Sequence, residues 1–124
     1  MSGYSFDANI IIDALGGFGP ALEELRRETR ERHWISRMVW VEVLSKGSDA
    51  MVGEALQFLA GFDIDELDEN IAERAARLRR ARPGLKSPDA IILASAQERG
   101  RILVTRNTKD FPATMPGIRV PYTI

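Results

Sequence analysis

The sequence predicts a single α/β domain, a sandwich of helices about a mostly parallel central sheet. Three observations predict it. Short apolar strands alternate with helical segments along the whole chain, the pattern of a βαβ succession. The strand Ile102-Leu103-Val104 is apolar at every position, as a strand buried on both faces must be. The segment Ala90-Ile91-Ile92-Leu93-Ala94-Ser95-Ala96 is apolar nearly all round, so its helix is enclosed on most sides.

Taken in order, Tyr4-Ser5-Phe6 reads as a strand leading straight into Asp7. Residues 8–15 read as a short apolar helix broken at Gly16-Gly17. Residues 20–32 read as a helix with Pro20 in its first turn, Ala21, Leu22 and Leu25 inward, and Glu23, Glu24 and the arginines solvated. Trp34-Ile35-Ser36 is a strand with His33 at its edge. Ser36 caps a helix to about residue 45, and Lys46-Gly47-Ser48 stops it. Residues 49–60 form a helix with Val52, Leu56 and Leu59 on one face. Phe62-Asp63-Ile64-Asp65 alternates as a half-exposed strand. Residues 69–80 form an amphipathic helix with Ile71, Ala75 and Leu78 inward. Ser87-Pro88-Asp89 opens the most distinct helix, with Ser87 as cap, Pro88 at the first position and an acid near the helix start. Gly100 ends it, and residues 119–122 add a last strand. Phe18, Leu22, Phe58 and Leu59 are assigned mostly to the core, with a partner-binding groove or dimer surface as the alternative for a few of them.

The 124 residues suit one domain, taken as 1–124, large enough to bury a core. Lys plus Arg is 17 against 18 Asp plus Glu, a net charge of −1, so bulk positive charge is not available to hold nucleic acid. A nucleic-acid ligand would need a local patch or bridging metal ions. There is no cysteine, which excludes disulfides and thiolate metal sites and fits a reducing cytoplasm. The N-terminal stretch has no basic region and acids interrupt it, so it does not read as a signal peptide. No run reaches the roughly 18 apolar residues that span a membrane. A single histidine, His33, leaves no material for multi-histidine metal sites.

The acids are placed to a pattern. Asp7 follows the first strand. Glu42 sits on the apolar helical run Met38-Val39-Trp40-Val41-Glu42-Val43-Leu44. Asp89 lies in the first turn of the buried helix. Asp110 follows the last apolar strand within Asn107-Thr108-Lys109-Asp110-Phe111. Each alone has an ordinary reading: turn residue, surface position, dipole partner, loop acid. Together they fall at strand carboxyl ends and helix starts, where ligands of parallel sheets bind. A carboxylate among apolar neighbours is costly unless paired or bound to a metal.

Phe6-Asp7-Ala8-Asn9, Val41-Glu42-Val43, Pro88-Asp89-Ala90 and Leu103-Val104-Thr105-Arg106-Asn107-Thr108-Lys109-Asp110-Phe111 resemble, in order, the four acidic motifs of PIN domains. The fourth and the closing Pro116-Gly117-Ile118-Arg119-Val120-Pro121-Tyr122 are similar to the VapC-like subgroup. The resemblance implies a PIN-like α/β/α domain and a metal-dependent endoribonuclease, the toxin of a VapBC-type toxin–antitoxin pair. It implies Asp7, Glu42, Asp89 and Asp110 as the catalytic ligands of Mg²⁺ or Mn²⁺. Asn107 is an alternative for the fourth position, and one or two ions remain open. Asn9, Thr105 and Asn107 would support the ligands, and Asp13 reads as structural. Arg106 would contact RNA phosphate or pair with an acid. The arginines between 26 and 32 read as a solvated, ion-paired face. Those between 74 and 82 fit solvent and RNA equally. The implied partners are an RNA (transfer RNA first, with ribosomal and messenger RNA open), a VapB-like antitoxin and a second copy of the chain, in the cytoplasm.

Other classes fit less well. A receiver-like module needs paired acids after its first strand, and only Asp7 stands there. A haloacid-dehalogenase-like phosphatase needs an acid two residues beyond its nucleophile, where this chain has Asn9. A PIN fold that binds without cleaving is the remaining rival.

Overall fold

A computed structural model describes residues 3–124; Met1 and Ser2, and with them the start of the stretch read for a signal peptide, lie outside it. Five strands form one parallel sheet: β1 (Tyr4–Phe6), β2 (His33–Ser36), β3 (Asp63–Asp65), β4 (Ile102–Val104) and β5 (Ile118–Arg119), in spatial order β3-β2-β1-β4-β5. Helices α1 (Ala8–Leu15) and α2 (Gly19–Arg26) join β1 to β2, and α3 (Arg37–Leu44) and α4 (Asp49–Leu59) join β2 to β3. Helices α5 (Glu69–Ala81) and α6 (Ser87–Arg99) carry the chain back across to β4. Because parallel crossovers are right-handed, the outward and returning steps fall on opposite faces of the sheet, giving the expected α/β/α layering. Phe6, Ile10, Ile11, Ile35, Ile92 and Leu103 are among the side chains that fill the interior.

Local chemistry explains most boundaries. Asp7, Ser36, Ser48 and Asp68 each cap a helix by accepting from a backbone N–H. Gly100 closes α6 at φ 67°, a left-handed conformation that glycine adopts without a Cβ penalty. No helix among the described residues is long and apolar enough to cross a membrane.

Several expectations are corrected. The helix placed over 20–32 stops at Arg26, and a 3-10 turn (Arg30–Arg32) follows. No apolar residue follows Leu25 until Trp34, so the later turns would have nothing to bury. Glu24 is 6% exposed rather than solvated, because Arg119 grips both its carboxylate oxygens at 2.6 and 2.9 Å and Arg27 adds a contact at 3.2 Å. Leu56 and Phe18 are exposed, and Ala55 takes the inward place on α4. Lys86, not Ser87, occupies the cap position of α6, and no side chain caps it; Pro88 still falls in the first turn, where its missing N–H is harmless. The last strand is Ile118–Arg119, in register with Leu103 and Val104, and ends before Pro121, which cannot extend the ladder. His33 opens β2, half-buried, edge-on to Phe6 and stacked on Phe62, which is a packing role.

Phe111 is fully buried and anchors the loop that carries Asp110. Phe111→Ala is expected to cost about 3–5 kcal/mol in urea denaturation, whereas a cost below about 1 kcal/mol would show that the loop is not anchored there.

Candidate active site

Sheet register brings the first site residues together. Phe6 pairs with Val104, so Asp7 and Thr105 emerge side by side where the strands end. The Asp7 N–H closes this end with a 2.9 Å bond to the Val104 carbonyl. Asp7 is 4% exposed and Thr105 fully buried. The Thr105 hydroxyl donates to Asp7 Oδ2 at 2.7 Å, the Asn9 amide donates to the same oxygen at 3.3 Å, and the Ala8 N–H donates to Oδ1 at 2.7 Å. All three donors are neutral. Burial raises the Asp7 carboxyl above its usual range, and these hydrogen bonds with the Arg106 charge offset that only in part.

Two helices deliver the next acids. The helix α3 begins directly after β2 and carries Glu42, and α6 carries Asp89 in its first turn; the two helices touch each other. Burial raises Glu42, and the negative charges of Asp7 and Asp89 raise it further. Burial likewise raises Asp89, and the negative charges of Asp110 and Asp7 add to it. The four acids spread over 103 positions of sequence thus feel one another at one end of the sheet. Among the described residues, no three such side chains already sit close enough to ligate one ion.

The fourth motif folds on itself. Asn107 donates through its side-chain amide to Asp110 Oδ2 at 3.0 Å and accepts from the Asp110 N–H at 3.2 Å. Arg82 donates to the Asp110 carbonyl at 2.7 Å. Arg106 takes the second of its two expected roles: its guanidinium holds both oxygens of Asp13, at 2.6 and 3.2 Å. Tyr122, which sequence reasoning missed, donates its hydroxyl to Asp13 Oδ2 at 2.8 Å. Asp13, fixed by Arg106 and Tyr122, is held below the usual carboxylate range, chiefly by the Arg106 hydrogen bond. The Arg106 N–H also donates to Asn9 Oδ1 at 3.3 Å, so the same residue steadies the amide beside Asp7. The only sequence signal for Tyr122 was its place in the closing stretch, which carries no local pattern pointing to α1.

Beside Glu42 opens an apolar groove of about 330 Å³, walled by Ile12, Leu15, Val43, Met51 and Ala55. Met51 is 60% exposed.

A family profile described as PIN domain matches residues 4–114, and the chain belongs to that family. One solved chain, from a toxin–antitoxin complex of Klebsiella pneumoniae, is 39% identical, superposes with a TM-score of 0.88, and is matched over 98% of this chain and 100% of its own length. DNA-bound VapBC from Salmonella typhimurium gives 0.80 at 24% identity over 96% of each chain, and FitAcB from Neisseria gonorrhoeae gives 0.79 at 19% over 95% and 97%. At these lower identities the likeness is one of fold. Comparison with curated proteins gives no match.

The crowded carboxyls carry a pH signature. The folded pKa of Glu42 lies above its unfolded value of about 4.3, so the stability present below that value is lost as pH rises through the folded pKa. In EDTA, Glu42→Gln is therefore expected to melt above the wild type at pH 7, with the gap closing towards pH 4. A gap independent of pH in thermal denaturation would show that Glu42 is not strained by its neighbours.

Proposed function

We propose that this chain is a divalent-metal-dependent endoribonuclease and the toxin of a VapBC-type pair. The observation that carries this reading is the convergence of Asp7, Glu42 and Asp89, where Asp7 raises the other two and none of the three is ion-paired among the described residues. Such a set is hard, all-oxygen and anionic, the chemistry that Mg²⁺ or Mn²⁺ prefers. Asp7, Glu42, Asp89 and Asp110 would hold the metal. The bond from the Asn107 amide to Asp110 supports Asp110 as the fourth acid and Asn107 as the group that aims it.

When bound, the metal supplies the charge that activates water and stabilises a phosphodiester under in-line attack. The chain supplies the rest. Thr105, Asn9 and the Ala8 N–H fix the orientation of Asp7 from one side. The β1, α3 and α6 scaffold would set the positions from which the acid side chains close on the ion. Water adds to phosphorus, the bond to the 3′-oxygen breaks, and that oxygen takes a proton, leaving a 5′-phosphate and a 3′-hydroxyl. No histidine or lysine is required as a nucleophile.

Membership of the family and the 39% identical relative from a toxin–antitoxin complex support an antitoxin partner. The groove beside Glu42, with Ile12, Leu15 and Met51 exposed, offers such a partner apolar footing next to the acids. A homodimer, cytoplasmic action and transfer RNA as target complete the reading.

The test is cleavage of a mixture of total transfer RNA and ribosomal RNA by antitoxin-free protein, with Mg²⁺ or Mn²⁺ and with EDTA. Discrete metal-dependent products, reduced at least 100-fold in Asp7→Ala and Asp89→Ala, are expected, an effect on the order of 3 kcal/mol in the barrier. No cleavage by folded protein with either metal would favour a binding module, and cleavage unchanged in both variants would remove these acids from the site.

A further inference from the structure

With a net charge of −1, the chain must hold an RNA by cations gathered locally. The ion pairs sort the cations. Arg26, Arg27, Arg30, Arg32, Arg37, Arg74, Arg77, Arg99, Arg101, Arg106 and Arg119 each have a carboxylate within 4 Å. Among the described residues, Arg79, Arg80, Arg82 and the three lysines of the chain, Lys46, Lys86 and Lys109, have none. Arg79 and Arg82 donate instead to the carbonyls of Leu85 and Asp110. The first arginine cluster is therefore neutralised, and the part of the second that remains unpaired is Arg80.

Placement sharpens the pattern. Lys46 stands four residues after Glu42, Lys86 is the cap residue of the helix that carries Asp89, and Lys109 adjoins Asp110. Arg80 lies in the last turn of α5, two residues before Arg82, whose guanidinium touches the Asp110 carbonyl. All four are exposed. The charges of Lys46 and Lys86 reach the site, where each partly offsets the raised pKa of Glu42 and Asp89 respectively. Of the cations without a carboxylate partner, Lys46 and Lys86 thus act on the acids, Lys109 adjoins Asp110 in sequence, and Arg80 stands on the helix whose end Arg82 ties to the Asp110 loop. Lysine binds phosphate as a flexible point charge, which suits a backbone held without regard to base.

We propose that Lys46, Arg80, Lys86 and Lys109 form a phosphate-binding belt that holds an RNA backbone across the acid cluster. This rests on the nuclease reading, since it gives the belt its substrate.

The experiment measures binding of a fluorescein-labelled 20-nucleotide single-stranded RNA over a salt series, with Ca²⁺ in place of Mg²⁺ so that the probe stays intact. The variants are K46Q/R80Q/K86Q/K109Q and, as control, R26Q/R30Q, which removes cations paired with Glu23 and Asp63. Each phosphate contact contributes about 0.7 to the log–log salt slope. The four-fold variant is expected to lose about 3 from that slope and at least tenfold in affinity at low salt, while the control changes the slope by less than about 0.5. Because none of the four holds an ion pair, the variant is expected to melt with the wild type. An unchanged slope in the four-fold variant overturns the belt. So does wild-type protein that ignores RNA but binds polyglutamate through these residues, which would mark a surface for an acidic protein. Cleavage in Mg²⁺ judges the nuclease reading separately: wild-type protein is expected to cleave, and the four-fold variant to show a raised KM. RNA binding that needs the belt, in a protein that never cleaves, would leave the belt standing and sink the nuclease.

Discussion

A buried carboxylate with only neutral donors is the constraint around which the rest of the site is arranged. Asp7 cannot move away from the sheet, because its own N–H completes the bonding of β1 to β4 and its side chain caps α1. It cannot be neutralised by the nearest guanidinium either, because Arg106 is committed to both oxygens of Asp13. Thr105 and Asn9 make the carboxylate tolerable without quenching it. The helices α3 and α6 then bring more negative charge to the same place. A protein selected only for stability would put an arginine there; this one withholds it. Persistent electrostatic conflict at one spot in an otherwise consistent fold is the mark of a functional site.

Elsewhere the chain resolves such conflicts with care. Glu24 is buried and doubly bonded by Arg119, which ties α2 to the last strand. Asp65, 4% exposed, receives two bonds from Arg101, whose guanidinium also lies 3.5 Å from the centre of the Trp34 ring. Arg99 bonds to Asp68, the cap residue of α5. Truncating one partner of such a pair strands the other, so these contacts fix register and layer more than they add net stability. Among the described residues, 11 of the 14 arginines lie within 4 Å of carboxylates other than Asp7, Glu42, Asp89 and Asp110.

Much of this was legible in the sequence because it is local. Strand and helix alternation, the caps at Ser36 and Gly100, and the apolar α6 all follow from neighbouring residues, and the acids at Asp7, Glu42 and Asp89 follow from their position at element ends. What was not legible depends on partners far along the chain. Nothing near Glu24 announces Arg119, 95 positions away, so a buried acid was read as solvated. Arg106 could be read as a phosphate contact until Asp13, 93 positions earlier, was seen to hold it. The end of α2 was misplaced because charged residues with good helix propensity fit a helix that has nothing left to bury. Lys46, Lys86 and Lys109 were not singled out for a related reason: a cation is recognised as lacking a carboxylate only when the others are seen to be paired.

The central claim is that these carboxyls are held together at a cost that a divalent cation relieves. Calorimetric titration of the metal-free protein with Mn²⁺, in two buffers of different protonation enthalpy across mildly acidic to neutral pH, tests it directly. The account predicts saturable binding that releases protons, with the release growing as pH falls, because the raised carboxyls must ionise to ligate. Absence of saturable binding, or binding with no proton release at any pH, would contradict it.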